Sequence, residues 1–201
     1  MASPFSHAAA ALSLGTCFPQ MPRRVWIASA VCSALPDLDV IGFRFRFRYG
    51  DFWGHRGFTH SLAFAALLAG VLVAFGRVEV FPLKPKSGPS TSSGQALSGP
   101  LSRVGIFAYL FLATASHGVL DAITDGGLGV AFFSPFDNRR YFLPWRPVHV
   151  SPIGVTRFFS ARGVAVFRSE LVWIWVLAVV FAAVVLAARW IVSFDLSQRQ
   201  K

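Results

Sequence analysis

Charge is scarce in this chain, and negative charge is scarcest. Only 14% of the 201 residues are Asp, Glu, Lys or Arg, and nine acidic residues stand against nineteen basic ones. Soluble domains carry about 25% charged residues, so a protein wetted on every side is excluded. Cysteine is almost missing. Cys17 and Cys32 are the whole complement; they lie in apolar stretches without framework spacing, and a fold stapled by disulfides finds no support. No repeat divides the chain, and its length suits one domain rather than two.

What is abundant is apolar sequence, 54% of the residues, and it is clustered. Residues 171–188 run for 18 positions without Asp, Glu, Lys or Arg, residues 104–120 for 17, and residues 61–76 for 16. A helix crosses a bilayer with about 20 apolar residues, or about 17 at the short end. Two shorter stretches, 7–18 and 25–35, come first and are parted by Pro19-Gln20-Met21-Pro22-Arg23-Arg24. They are expected to form a short helical hairpin packed against the longer spans. The expected fold is all-α, a polytopic membrane bundle of four to five hydrophobic helices in one domain over residues 1–201. Residues 82–103, rich in Ser, Gly and Pro, are expected to be a flexible loop between spans. The net charge of +10 suits Lys and Arg flanking the spans. It equally suits attraction to anionic headgroups or to a phosphate-bearing substrate.

The few acidic residues are not scattered. Five of the nine fall in or next to short stretches that, together with His7, hold four of the five histidines. These stretches are Pro36-Asp37-Leu38-Asp39, His55-Arg56-Gly57-Phe58-Thr59-His60-Ser61, and His117-x-x-x-Asp121 followed by Thr124-Asp125. His117 and Asp121, four apart, share a helix face, and imidazole nitrogen with carboxylate oxygen suits zinc. Alone, the pair also describes a buried histidine bonded to a neighbouring aspartate. Its place in an apolar span favours function, because ionisable groups there are costly. Gly57 would let the backbone turn between His55 and His60, and Thr59 would cap the helix that follows; the alternative is an interfacial loop with two incidental histidines. Asp37 and Asp39 end an apolar helix, where the macrodipole disfavours negative charge. A cation should therefore sit nearby, either a metal ion or Arg44, Arg46 and Arg48. Asp37 is the preferred ligand, with Asp39 a second ligand or a base.

Letting the helices alternate across the membrane places His7, Asp37 and Asp39, His55 and His60, and His117 and Asp121 on one face. Nothing in the choice of residues demanded that convergence. It supports one composite polar site. The same alternation puts ten basic residues on that face and nine on the other, so the positive-inside rule assigns no orientation. Arg56, Arg139, Arg140 and Arg146 share the site's face and would hold an anionic substrate, or else anchor headgroups. Phe43-Arg-Phe-Arg-Phe-Arg-Tyr49 alternates with period two, which predicts an extended segment with rings on one side and guanidiniums on the other.

Together His7, Pro-Asp-Leu-Asp, His-Arg-Gly-Phe-Thr-His-Ser, His117-x-x-x-Asp121 and the Ser134-Pro135-Phe136 stretch resemble the YdjM-like family. Its members are described as LexA-binding, inner-membrane-associated, metal-dependent hydrolases. The resemblance covers most of the chain up to about Glu170, and implies a multi-pass protein of a bacterial inner membrane. A looser similarity in ligand types to the zinc-dependent phospholipase C and P1 nuclease group points to phosphoester chemistry by analogy only.

The resulting expectation is a metal-dependent hydrolase acting on a phosphoester or lipid-type substrate. His7, Asp37, His55, His60, His117 and Asp121 would hold zinc as one ion or two, with Asp39 or Asp125 as base. Membrane lipids are the expected partners, and direct nucleic-acid binding is not expected. The alternative is a non-catalytic membrane protein whose metal is structural and which docks a regulatory partner such as LexA. A metal transporter would need polar groups at mid-membrane and on the far face, where this sequence has few.

Overall fold

In a computed structural model that describes residues 1–75, 103–153 and 159–199, helices are the sole extended elements among the described residues, and β-pairing is reduced to two isolated bridges. Helix α1 spans Pro4–Gly15 and α2 spans Arg23–Ala34. Pro4 suits a first helical position, where no N–H is needed, and Pro19 and Pro22 lie in the break between the two helices. From α2 the chain tightens into 3-10 geometry over Leu35–Phe45. Helix α3 covers Leu62–Phe75 and α4 covers Arg103–Ala122. Near the end of the chain, α5 (Ala161–Glu170), a π-helical stretch (Leu171–Trp175) and α6 (Val176–Arg199) join into one continuous 39-residue segment.

Three segments are long and apolar enough to cross a membrane: Arg23–Phe45, Arg103–Ala122 and Ala161–Arg199. The sequence favoured residues 61–76 as a span. In the structure α3 is a shorter apolar helix, and α2 with its 3-10 continuation reaches span length instead. The low-complexity stretch at 82–103 lies, but for Arg103, outside the described residues.

Helix α4 is the centre of the bundle. Ala11 of α1, Val25 of α2, Ala69 of α3, and Ile106, Tyr109, Leu110 and Ala113 of α4 form one buried cluster with Met21. Small side chains at these crossings let the backbones approach, which is how helices associate where lipid removes the usual hydrophobic drive. Tyr109 is fully buried, and its hydroxyl accepts from Ser29 Oγ at 2.7 Å and donates to the Ala11 carbonyl at 3.1 Å. Helix α6, by contrast, buries no residue. The continuous segment is tied to the α1 region at two points, Glu170 at the end of α5 and Arg189 within α6. Ser3 N–H, Ser3 Oγ and Ser6 Oγ all donate to the buried Glu170 carboxylate, and Arg189 donates to the Thr16 carbonyl at 3.0 Å. A carboxylate at the start of α1 also complements that helix's dipole.

The aromatic–arginine segment is not extended. Phe43 to Phe45 belong to the 3-10 stretch, and Arg46 ends it in the left-handed region at φ 65°. Among the described residues no neighbouring strand offers a ladder there for the period-two alternation to pair with. Phe45 and Phe47 are left exposed.

Candidate metal centre

Four separate segments meet at one end of the bundle. His7 comes from the first turns of α1, Asp37 from the start of the 3-10 stretch, His60 from a short 3-10 turn (Phe58–His60), and His117 and Asp121 from the last turns of α4. All five are buried, and His7, His117 and Asp121 are 0% exposed. Three residues per turn puts Asp37 and Asp39 about 120° apart around the 3-10 axis, so the two carboxylates of one motif face different groups. The turn before α3 needs Gly57, since a Cβ there would stand 2.3 Å from the Phe52 carbonyl oxygen. Gly118 has a similar role on α4, where a Cβ would meet the His60 carbonyl oxygen at 2.8 Å. Ser61, not Thr59, caps α3, accepting the Phe64 N–H at 3.1 Å.

His7 Nε2 lies 3.8 Å from Asp37 Oδ2 and 3.6 Å from Asp121 Oδ1. His60 Nε2 lies 3.7 Å from Asp37 Oδ1 and 3.6 Å from Asp121 Oδ2, and His117 Nε2 lies 3.4 Å from Asp37 Oδ1. These separations are too long for good hydrogen bonds. They suit donors gathered on one ion, because two atoms each about 2.1 Å from a tetrahedral centre stand about 3.4 Å apart. Eight buried side-chain polar atoms among the described residues have no hydrogen-bond partner. They are both nitrogens of His7, both oxygens of Asp37, His60 Nε2, His117 Nε2, Asp121 Oδ2 and Arg56 Nε. Arg56 Nε and Asp121 Oδ2 face each other as an ion pair at 2.9 Å; each of the other six costs about 1–3 kcal/mol as it stands. Six such atoms in one place, all on imidazole or carboxylate groups, fit a divalent cation.

The outer contacts aim these donors. His117 Nδ1 donates to the Ser33 carbonyl at 2.6 Å, which leaves the Nε2 lone pair facing the cluster. His60 Nδ1 lies 3.2 Å from Asp39 Oδ2. Burial drives the His60 pKa down, but the adjacent carboxylates of Asp121, Asp37 and Asp39 outweigh it and raise the value to about 10. That pull shows how strongly the surrounding carboxylates favour a positive charge here. Arg56 supplies one such charge. It is fully buried at φ 62°, with Nε 2.9 Å from Asp121 Oδ2, and donates through Nη1 to the Gly126 carbonyl and through Nη2 to Thr124 Oγ1.

Asp39 and His55 lie just outside the five. His55 Nδ1 is 2.6 Å from Asp39 Oδ1, and Asp39 Oδ2 also accepts from the Arg56 amide and Thr59 Oγ1. With His60, these two form a second group whose ligand atoms could hold an ion. Four donors around one carboxylate, three of them on Oδ2, let Asp39 orient His60 and His55. Asp125 is not among the residues of either group. Its Oδ2 pairs with His149 Nδ1 at 2.7 Å and its Oδ1 accepts the Val150 N–H at 2.8 Å. Of the arginines expected to hold substrate, Arg56 faces inward on Asp121. Arg140 donates to the carbonyls of His55, Tyr49 and Asp51. Arg139 pairs with Asp137 at the surface, and Arg146 lies over the Phe142 ring.

Sequence reasoning passed over Ser33, which acts through its carbonyl and leaves no trace in residue type. Thr124 is missed as the Arg56 partner, and so is His149, the fifth histidine, whose partner lies 24 residues away.

Fold and site define the class: a multi-pass helical membrane protein with a buried histidine–aspartate cluster, at one end of its bundle, that could hold metal. The chain belongs to the YdjM inner membrane protein family, whose model matches residues 1–193. It is similar to inner membrane protein YbcI of Escherichia coli (strain K12), at 34% identity over 177 residues, covering 87% of this chain and 91% of that one. No solved structure matches. The protein is thus an inner-membrane protein, and three of its helical segments are long and apolar enough to cross a bilayer.

Proposed function

We propose that the protein is a metal-dependent hydrolase of the inner membrane, acting on a phosphoester or lipid-type substrate. The observation that carries this reading is the convergence of every partnerless buried polar side-chain atom, among the described residues, on one set of three imidazoles and two carboxylates beside Arg56. His7, Asp37, His60, His117 and Asp121 would hold the ion, zinc by the nitrogen and oxygen donor set, and the second group at Asp39, His55 and His60 offers room for another. A divalent ion there would lower the pKa of a bound water and polarise the scissile group. The chain's own residues prepare that chemistry. Asp39 fixes His60 and His55, the Ser33 carbonyl fixes His117, and Arg56 holds Asp121 in place while offsetting part of its charge.

Full burial of the five donors also supports a second reading, a structural ion in a protein that docks a regulatory partner such as LexA. A phosphodiesterase and phospholipase panel on detergent-purified protein separates the two. The hydrolase reading expects turnover that chelation abolishes, that zinc or manganese restores, and that His117→Ala lacks. An intact, metal-loaded protein without turnover across the panel would favour the structural ion.

A further inference from the structure

A cavity of about 450 Å³ lies where the 147–149 segment meets the junction of α5 and the π-helical stretch, lined by Pro147, His149, Arg168, Ser169, Val172 and Trp173 among others. We infer that this pocket, apart from the metal centre, binds the phosphate of a glycerophospholipid headgroup. The inference does not depend on the hydrolase reading.

Depth comes first. Arg168 and Arg189 stand 21 residues apart on one continuous helical segment, which at 1.5 Å per residue is about 32 Å. That matches the ~30 Å hydrocarbon thickness of a bilayer. The one charged residue between them, Glu170, is buried against Ser3 and Ser6, so the two arginines bracket the apolar core and Arg168 sits at headgroup level. Trp173 packs edge-on against Trp145 at 4.7 Å beside the pocket, an aromatic pair of the kind that marks a membrane interface.

The polar groups are arranged for an anion. Among the described residues Arg168 makes no ion pair or hydrogen bond through its guanidinium, which is suited to grip a phosphate bidentately. His149 is held by Asp125 through Nδ1, with its other edge left for a ligand. Asp125 spends both its oxygens on His149 and the Val150 N–H, so it holds the loop and leaves Arg168 unpaired among the described residues. Ser169 Oγ accepts the His149 N–H at 3.0 Å and donates to the Val166 carbonyl, locking the loop onto α5. Val164 and Val172 give exposed apolar walls leading toward α6, which buries nothing and faces lipid. A free phosphate would use the arginine and histidine but not these walls.

Native mass spectrometry of the detergent-purified full chain tests this, with phosphatidylglycerol, with diacylglycerol of the same acyl chains, and with inorganic phosphate. The expected result is retention of phosphatidylglycerol but not diacylglycerol, weakened roughly ten-fold or more by Arg168→Gln and also by His149→Ala. Arg162→Gln, on the same helix but outside the pocket lining, should bind as wild type. Unchanged binding by Arg168→Gln would overturn the proposal, as would equal retention of diacylglycerol or an equal loss in Arg162→Gln. Inorganic phosphate that binds as tightly as the lipid would also overturn it, by assigning the pocket to a soluble anion. Arg168→Gln touches no buried group, so elution and metal content as in wild type confirm that it is folded.

Discussion

Two of the places where histidine stands beside aspartate, the exposed Asp125–His149 pair and the buried cluster, use the same residue types for different work. At Asp125 and His149 the two groups meet at 2.7 Å, satisfy each other and stay substantially exposed to solvent. In the buried cluster the closest approaches between imidazole nitrogens and Asp37 or Asp121 are 3.4–3.8 Å, and the atoms involved lack a hydrogen-bond partner except Asp121 Oδ1, which accepts the Ala2 N–H at 2.8 Å. A pair at 2.7 Å is complete as it stands. A buried group at 3.4–3.8 Å is complete only around something else. The distinction lies in satisfaction rather than in residue type, and it is what separates a surface contact from a candidate metal centre.

Four changes probe that contrast, in falling order of effect. Asp121→Ala should cost about 3–5 kcal/mol by leaving the buried Arg56 guanidinium unpaired, along with loss of bound ion. Thermal unfolding in detergent measures it, and Asp121→Asn, which keeps the shape, should be milder. Chelation of the wild type should lower stability by about 3–4 kcal/mol when referred to an ion held at 100 to 1,000 times its dissociation constant. Adding zinc back should restore the melting curve. Asp39→Asn should leave a stable protein whose metal affinity falls about 10- to 100-fold, measured by competition with a zinc chelator. Asp125→Asn should change stability by under about 1 kcal/mol, because the pair is solvent-screened, and should leave the ion in place.

The last of these carries a pH signature. Burial raises the Asp125 pKa, but the hydrogen bonds from His149 and the Val150 amide together outweigh it and hold the carboxyl below its ordinary range. Its folded pKa is depressed, so its contribution is complete above the ordinary carboxylate range and fades as pH falls through the folded value. Wild type and Asp125→Asn should therefore differ at neutral pH and converge in acid.

How much of this the sequence disclosed depends on the kind of signal. The meeting of His7, Asp37, His60, His117 and Asp121 was legible because alternating apolar helices carry their ends to fixed sides, whatever the details of packing. The 3-10 stretch was not legible, and with it went the separation of Asp37 from Asp39, which a two-residue spacing alone does not assign. Arg56 was expected to hold an anionic substrate because it shares the site's membrane face. Its left-handed backbone instead turns it inward onto Asp121, Thr124 and the Gly126 carbonyl. His149 and Asp125 are distant in sequence and meet only through the parallel bridge between Thr124 and Val148.

The most direct test is the elemental metal content of the detergent-purified protein, measured for wild type, Asp37→Asn, His117→Ala and Asp125→Asn. At least one divalent ion per chain is expected in wild type and Asp125→Asn, and none in the other two. A metal-free wild type that takes up no zinc or manganese on addition would contradict the account.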